Sequence, residues 1–204
     1  MINTEFLLTS LVVVLVPGTG VIYTVSTGLA QRWRASIAAA FGCTLGILPH
    51  LTASILGLSA ILHMSALVFQ ALKVVGALYL LYLAWGMWRD TGMLKFDPSE
   101  QKTSAFQIAL KGILINVLNP KLTLFFFAFL PLFISSDTGS PTRQMLGLGA
   151  IFMLLTLLIF VLYGILASGV STYLLNSPKI IRRVQKTFAL VFAGLAVRLA
   201  VSEQ

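Results

Sequence analysis

Acidic residues are scarce in this sequence, which has only six Asp and Glu among its 204 residues, against fourteen Lys and Arg. None of the six lies near the centre of a long apolar segment. A hydrolase triad needs a carboxylate to orient its histidine, so this scarcity argues against one. It also argues against a metal site, because His50 and His63, the two histidines, have no clustered carboxylates or cysteines beside them. No metal is predicted.

The sequence also has only one cysteine and no glycine-rich motif for binding nucleotides. The single cysteine, Cys43, cannot form an intramolecular disulfide, which argues against a thiol-disulfide electron carrier. No phosphate-binding loop is present, and Gly18 and Gly20 do not continue into a dinucleotide motif, because Tyr23 occupies the position of the third glycine. We therefore predict no cofactor and no enzymatic activity.

Hydrophobic residues are abundant, at 58%, while charged residues make up 10%, against roughly 25% in soluble domains. The apolar runs are long enough to cross a bilayer as helices, and they lack the alternation of membrane β-strands. The predicted fold is an all-α, polytopic membrane protein, with lipid as a partner. Six transmembrane segments are expected, at about 5–28, 35–62, 65–88, 105–134, 145–175 and 184–201.

The net charge of +8 comes mainly from basic residues in the short breaks between the apolar segments. This placement indicates membrane topology and not a nucleic-acid partner, because short loops rich in Lys and Arg stay in the cytoplasm. The loops after the first, third and fifth segments carry most of these residues. Both termini are therefore predicted to lie outside the cytoplasm.

Three segments precede the longest polar loop and three follow it, so the two halves begin on opposite sides of the membrane. The first segment of each half contains a proline near its middle, at Pro17 and Pro120. Paired breaks indicate two inverted three-helix repeats, with helices one and four broken around a site at the membrane midplane. The sequence thus predicts a single transporter domain, 1–204, with its halves and the cytoplasmic loop between them at 1–88, 105–204 and 89–104.

The strongest candidate for that site is the stretch from Asn116 to Lys121, which reads Asn-Val-Leu-Asn-Pro-Lys. Pro120 cannot donate to the carbonyl of Asn116, and its ring pushes Asn119 out of helical geometry. Lys121 is too far from either end of its segment to reach the interface easily. We predict that Asn116, Asn119, Pro120 and Lys121 bind substrate. The alternatives are that Lys121 only pairs with free carbonyls near Pro120, and that the asparagines only join helices.

The break in the first segment forms the second part of the predicted site. Pro17 leaves the carbonyl of Val13 without its helical donor, while Gly18 and Thr19 add a flexible backbone and a hydroxyl. A half-helix that begins after this break directs N–H groups at the site, which favours an anionic group such as a carboxylate. Pro17, Gly18 and Thr19 are therefore predicted to bind substrate. The alternative is a proline kink packed by glycines.

His50 lies near the middle of the second segment, on the face that carries its small residues. Because no acidic residue is central in any segment, His50 is the only side chain there that ordinarily titrates near neutral pH. His50 and Lys121 are the candidates for proton coupling. The alternative is a neutral histidine that is hydrogen-bonded inside the helix bundle.

Several of these motifs together resemble the LysE/RhtB amino-acid exporter family, part of the LysE superfamily. They are Pro17-Gly18, the glycine-spaced second segment, the run from Lys73 to Gly86, and the motif from Asn116 to Lys121. The resemblance implies a secondary transporter of the bacterial inner membrane that exports amino acids or related small zwitterions. It also implies a proton or other ion gradient as the driving force, and it allows a homodimer.

The chain departs from the family pattern at one position, since Thr19 stands where Pro-Gly-Pro has its second proline. Without the second proline, either the helix is less sharply broken here or Thr19 supplies a hydroxyl in its place. The substrates of other family members are therefore a weaker guide to the substrate of this chain. Neutral aliphatic, basic and hydroxylated amino acids all stay open as substrates. The alternative function is export of a metal ion or another small solute by a member of the same superfamily.

Overall fold

The computed structural model describes residues 4–62, 104–134 and 140–169, with scattered residues between 74 and 89 and between 186 and 197. Every element in the three continuous stretches is helical. Most of the predicted loop 89–104, and most of the third and sixth predicted segments, lie outside the described residues. The helices, numbered α1 to α6 in chain order, are Thr4–Leu15, Thr19–Leu45, Leu48–Leu62, Ala105–Val117, Pro120–Leu124 and Pro141–Gly169.

Among the described residues, two helical stretches are long and apolar enough to cross a membrane, Thr19–Gly57 and Pro141–Gly169. The pair Ala105–Val117 and Pro120–Phe133 is bent by 52° and makes a third span when it is counted as one. The prediction of an all-α membrane protein is therefore confirmed for the described part of the chain. The arrangement of six helices as two inverted repeats stays a prediction.

α2 contains a turn that reverses the direction of the chain. Arg32 interrupts the helix with φ 70° and ψ 179°. Across this interruption, Ser36 Oγ donates to the carbonyl of Thr24 at 2.9 Å, although the two residues are 12 positions apart. In a straight helix that separation would be roughly 18 Å. α2 is thus a hairpin that joins the first and second predicted segments, with its turn in the break between 28 and 35.

The second arm of this hairpin packs closely against α4 through two glycines. A Cβ atom at Gly46 would lie 2.7 Å from the carbonyl oxygen of Ile113, and one at Gly42 would overlap the backbone of Ala109. The two helix backbones approach this closely because glycine has no side chain to separate them. This close packing fixes α4 beside the end of α2.

Beyond α5, the fourth segment continues as a π-helix, Phe125–Phe129, and a short 3₁₀-helix, Leu130–Phe133. Its phenylalanines pack against α6, where the rings of Phe125 and Phe152 stack with their centroids 4.3 Å apart. In lipid, such packing is held by van der Waals contact and not by the exclusion of water. This aromatic core lies directly beside the broken part of the fourth segment.

α6 begins at Pro141, earlier than the start near Met145 that hydropathy predicted for the fifth segment. The carbonyl of Ser140 accepts from the N–H groups of Arg143 at 3.0 Å and Gln144 at 3.2 Å, which forms the first helical turn. Proline suits this turn because its missing N–H is not needed there. The polar residues of the first turn concealed the helix start from a prediction based on apolar residues.

Candidate functional site

The break in the first membrane segment lies between α1 and α2. Gly18 is extended and separates the two helices, and Pro17 has no N–H to donate to the carbonyl of Val13. Lys121 supplies the missing donor: its Nζ donates to the carbonyl oxygens of Val13 at 3.1 Å and Val16 at 3.2 Å. The ammonium group therefore caps the C-terminal end of α1, where the helix dipole is negative.

These contacts join the two broken segments to each other. The structural alternative for Lys121 placed its ammonium on carbonyls near Pro120, whereas the carbonyls that it binds lie 105 and 108 residues away in the sequence, at the other break. α6 contributes as well, because the hydroxyl of Tyr163 donates to the carbonyl of Leu15 at 3.0 Å. The broken end of α1 is thus held by side chains from the fourth and fifth segments.

The break in the fourth segment lies between α4 and α5, at Asn119. The side chain of Asn119 accepts from the backbone N–H of Lys121 at 3.1 Å and so caps α5. Pro120 leaves the carbonyl of Asn116 without its helical donor. Two other groups donate to that oxygen, the N–H of Asn119 at 3.0 Å and Nε2 of His50 at 2.8 Å. Each proline-freed carbonyl is therefore bonded to a titratable side chain from another segment.

The ring of His50 has a partner at each nitrogen. Because a carbonyl oxygen only accepts hydrogen bonds, Nε2 carries the proton that points at Asn116. Nδ1 of the neutral ring then accepts from Thr123 Oγ1, which lies 3.3 Å away. If Nδ1 took up a proton, the Thr123 hydroxyl could rotate to accept from it. His50 is thus hydrogen-bonded at both ring nitrogens, to the backbone of one residue and the side chain of another in the fourth segment.

The side chain of Asn116 connects α4 with the end of α2. It is 2% exposed, its Nδ2 donates to the carbonyl of Cys43 at 2.7 Å, and its Oδ1 accepts from Asn119 Nδ2 at 3.3 Å. Near the end of α2, the N–H of Ile47 donates to Thr44 instead of Cys43. Asn116 therefore supplies the donor for a helix-end carbonyl, which is the interhelical contact predicted as the alternative role for the asparagines.

A cavity of about 20 Å³ lies between the two breaks and α6. Asn116, Asn119 and Lys121 form its polar side, and Thr156 and Phe160 are among the residues that α6 contributes. This volume accommodates about one water molecule. An amino acid can therefore occupy the site only when α1, α6 or the segments at the breaks move apart.

The structure brings together only some of the residues predicted to act here. Asn116, Asn119 and Lys121 line the cavity. His50 is not among the lining residues, and it is connected to the cavity only through one of them, because its Nε2 bonds to the backbone carbonyl of Asn116. Substrate binding by the first three and proton coupling by His50 or Lys121 stay predictions.

The residues predicted at the first break, Pro17, Gly18 and Thr19, do not line the cavity themselves. A Cβ atom at Gly18 would lie 3.1 Å from Nζ of Lys121, so this glycine gives the ammonium room. On this side the cavity is lined by Val13 and Val14 before the break and by Gly20 and Val21 after it. Pro17 and Pro120 shape the two breaks, the latter as the first residue of α5.

The contribution of α6 was missed by the reasoning from sequence. Thr156 and Phe160 line the cavity from α6, yet neither belongs to a recognisable motif. A signal was present, because Thr156 is the only hydroxyl between Met145 and Tyr163 in an otherwise apolar run. A lone hydroxyl in such a run needs a partner inside the protein.

Comparison with known proteins gives full-length similarities. Residues 11–203 match the family described as LysE type translocator. An uncharacterised membrane protein of Vibrio cholerae is 33% identical over 202 residues, covering 97% of this chain and 96% of that protein. The homoserine/homoserine lactone efflux protein of Salmonella typhimurium is 29% identical, covering 96% of this chain and 94% of that protein. The leucine efflux protein of Klebsiella pneumoniae is 27% identical, with coverages of 96% and 92%. No solved structure matches this chain.

Proposed function

Because the chain belongs to the LysE type translocator family, we propose that it exports a small zwitterionic amino acid from the cytoplasm by secondary transport. Membership makes it a membrane efflux transporter and not an enzyme, as the sequence predicted, and its curated relatives include proteins named for amino-acid efflux. One of those relatives is named for homoserine, which has a hydroxyl, and another for leucine, which is aliphatic. Their names therefore do not decide which side chain the substrate of this chain carries.

The observation that carries the proposal is the position of the Lys121 ammonium between two backbone carbonyls and a cavity. Nζ lies 3.1 Å from the carbonyl oxygen of Val13, and the same side chain lines the cavity. A substrate carboxylate is a stronger acceptor for an ammonium than a carbonyl oxygen. On binding, it would draw Lys121 away from α1 and leave the Val13 carbonyl to accept from the substrate ammonium.

This exchange of partners provides a reason for α1 to move when substrate binds. The two halves, 1–88 and 105–204, are proposed to rock against each other as inverted repeats joined by the loop 89–104, with both termini outside the cytoplasm and the protein in the bacterial inner membrane. His50, or Lys121 itself, would bind and release the coupled proton. A homodimer is compatible with this mechanism but is not needed for it.

The test compares bacteria that express the intact chain, the Lys121→Ala variant, the Lys111→Ala variant, or none of these. Lys111 is the matched control, because it lies in α4 before the break and is outside the cavity lining. The cells are supplied with mixed dipeptides, and their intracellular amino acids are measured. We expect one or a few amino acids to fall with the intact chain and with Lys111→Ala, and to stay high with Lys121→Ala.

If no amino acid falls although the intact protein is in the membrane, the proposal is wrong, and a metal ion or another solute becomes the substrate to test. In the stretches that the structure describes, no three His, Cys, Asp or Glu side chains are grouped as metal ligands. A metal exporter would depend on His50 more than on Lys121, so His50→Ala cells should then lose metal tolerance while Lys121→Ala cells keep it.

A further inference from the structure

The two sides of the cavity differ in chemistry. The breaks supply charged and amide groups at Lys121, Asn116 and Asn119, whereas α6 supplies Phe152, Thr156 and Phe160. These last two are four residues apart and so lie on one face of the helix. If the breaks bind the carboxylate and ammonium that all amino acids share, the α6 side faces the group by which amino acids differ.

The charges of the chain restrict that group. Lys121 is the one charged side chain among the described residues that line the cavity. A basic substrate side chain would need a carboxylate partner inside the membrane. An acidic substrate side chain would need a second cation, because Lys121 already binds the carboxylate that all amino acids share. The acidic residues of the sequence all lie in predicted loops or near its two ends: Glu5, Asp90, Asp97, Glu100, Asp137 and Glu203.

Thr156 offers a specific contact for an uncharged polar side chain. Its hydroxyl is 2% exposed and donates to the carbonyl of Phe152 at 2.9 Å. Since its single proton is used inside the helix, the oxygen can only accept a hydrogen bond from a ligand. A substrate hydroxyl can donate to it, while a methyl group in the same place cannot.

Phe160 limits the length of the side chain that fits. A Cβ atom at Gly20 would lie 3.0 Å from Cε2 of Phe160 and 2.7 Å from Oδ1 of Asn116. α2 and α6 therefore already touch at this end of the cavity, and the phenyl ring blocks further extension along α6.

We propose that Thr156 and Phe160 are the specificity-determining residues of this transporter, and that they select a neutral amino acid with a short, hydroxyl-bearing side chain. Thr156 accepts the hydroxyl, and Phe160 excludes longer chains. This inference rests on the proposed function, because it assigns the side-chain pocket of the same site.

The experiment uses inside-out membrane vesicles from bacteria that express the chain, so that export appears as uptake. Labelled threonine, valine and lysine are compared, since threonine and valine have nearly the same shape. For the intact chain we expect threonine to be taken up faster than valine, and lysine not at all. For Thr156→Val, the ratio of threonine to valine uptake should fall by about 3- to 10-fold, because the variant cannot form the one hydrogen bond that distinguishes the two substrates.

The matched control is Thr44→Val. Thr44 is also buried and also donates to a carbonyl one turn earlier, that of Ala40 at 2.9 Å, but it lies outside the cavity lining. Its replacement should leave the ratio unchanged. A second variant, Phe160→Ala, should raise uptake of leucine relative to threonine by roughly tenfold.

Three results would overturn the inference while leaving amino-acid export intact. They are lysine uptake equal to that of threonine, no preference of the intact chain for threonine over valine, or equal ratios in Thr156→Val and Thr44→Val. The first two need no variant, so they apply even if Thr156→Val does not fold. If the intact chain takes up none of a full panel of amino acids, the proposed function fails and this inference fails with it.

Discussion

The Nζ atom of Lys121 lies 3.1 Å from the carbonyl oxygen of Val13, the one carbonyl that Pro17 deprives of its helical donor. A break in one segment is thus completed by a side chain that follows the break in another. The same relation holds between His50 and Asn116, whose carbonyl is freed by Pro120. The carbonyl of Asn116 also accepts from the N–H of Asn119 in its own segment. Each freed carbonyl nevertheless has a side-chain donor from another segment, so a partner segment stabilises each break in lipid.

The first prediction concerns the stability that Lys121 provides. Lys121→Met keeps a long apolar side chain but leaves the carbonyls of Val13 and Val16 without their side-chain donor, at a cost of about 1–3 kcal/mol for each buried group. The unfolding temperature of the purified protein in detergent should fall clearly below that of the intact chain. Lys111→Met is the control. The Lys111 ammonium is exposed and lies 5.6 Å from the centroid of the Tyr23 ring, a contact worth about 0.5–1 kcal/mol, so its loss should lower the unfolding temperature less than the loss of Lys121. Equal temperatures for both variants would mean that these carbonyls find other donors.

The second prediction compares two amide-to-carboxylate changes in α4. Asn116→Asp removes the donor to Cys43 and buries a negative charge beside a carbonyl oxygen, which typically costs about 3–5 kcal/mol. Gln107→Glu makes the same chemical change in the first turn of α4, where the Gln107 side chain accepts from the N–H of Ser104. A glutamate there is neutral or stabilising. The amount of folded protein in membranes should therefore drop for Asn116→Asp alone, and a drop of the same size in both variants would contradict this assignment.

The third prediction separates the structural role of His50 from a role in proton coupling. His50→Gln retains an N–H donor for the carbonyl of Asn116, so the variant should fold. It cannot bind a proton near neutral pH. In proteoliposomes, we expect exchange of labelled for unlabelled amino acid to continue, while stimulation by an imposed pH gradient disappears. If the gradient still drives accumulation in His50→Gln, the coupling role passes to Lys121.

The fourth prediction tests the close approach of α2 and α4. Gly42→Ala places a Cβ in the backbone of Ala109, which should destabilise the protein by about 1–3 kcal/mol through overpacking. Gly147→Ala is the matched control, because a Cβ at that position in α6 meets no atom within 4 Å. Alanine favours the helix over glycine by about 1 kcal/mol, so this control should be neutral or slightly stabilised. Unfolding temperatures of the two variants give a direct comparison.

The sequence predicted the features of the site that depend on local chemistry. A proline frees the carbonyl four residues before it, so the positions of Pro17 and Pro120 were enough to predict free carbonyls at Val13 and Asn116. The break between the first and second predicted segments, where the hairpin turn at Arg32 lies, followed equally from a local pattern, a short polar stretch between two apolar runs. What the sequence could not provide was the partner of each carbonyl, because that depends on how distant segments pack.

The α6 side of the cavity shows a second limit of reading the sequence. Beyond its first turn, α6 is apolar on nearly every face, so no hydrophobic face indicates which side points inward. The hydroxyl of Thr156 was visible in the sequence but had no motif around it. Its position beside the cavity becomes evident only once α6 is packed against the two breaks.

The contact between Lys121 and the first break also constrains how this sequence can evolve. A chain that lost Lys121 alone would leave the carbonyls of Val13 and Val16 without their side-chain donor. A chain that lost Pro17 alone would restore the N–H for Val13 and take one acceptor away from the buried ammonium. Losing both would rebuild an ordinary helix at far smaller cost. The two positions, 104 residues apart in the sequence, are therefore expected to change together in descendants or not at all.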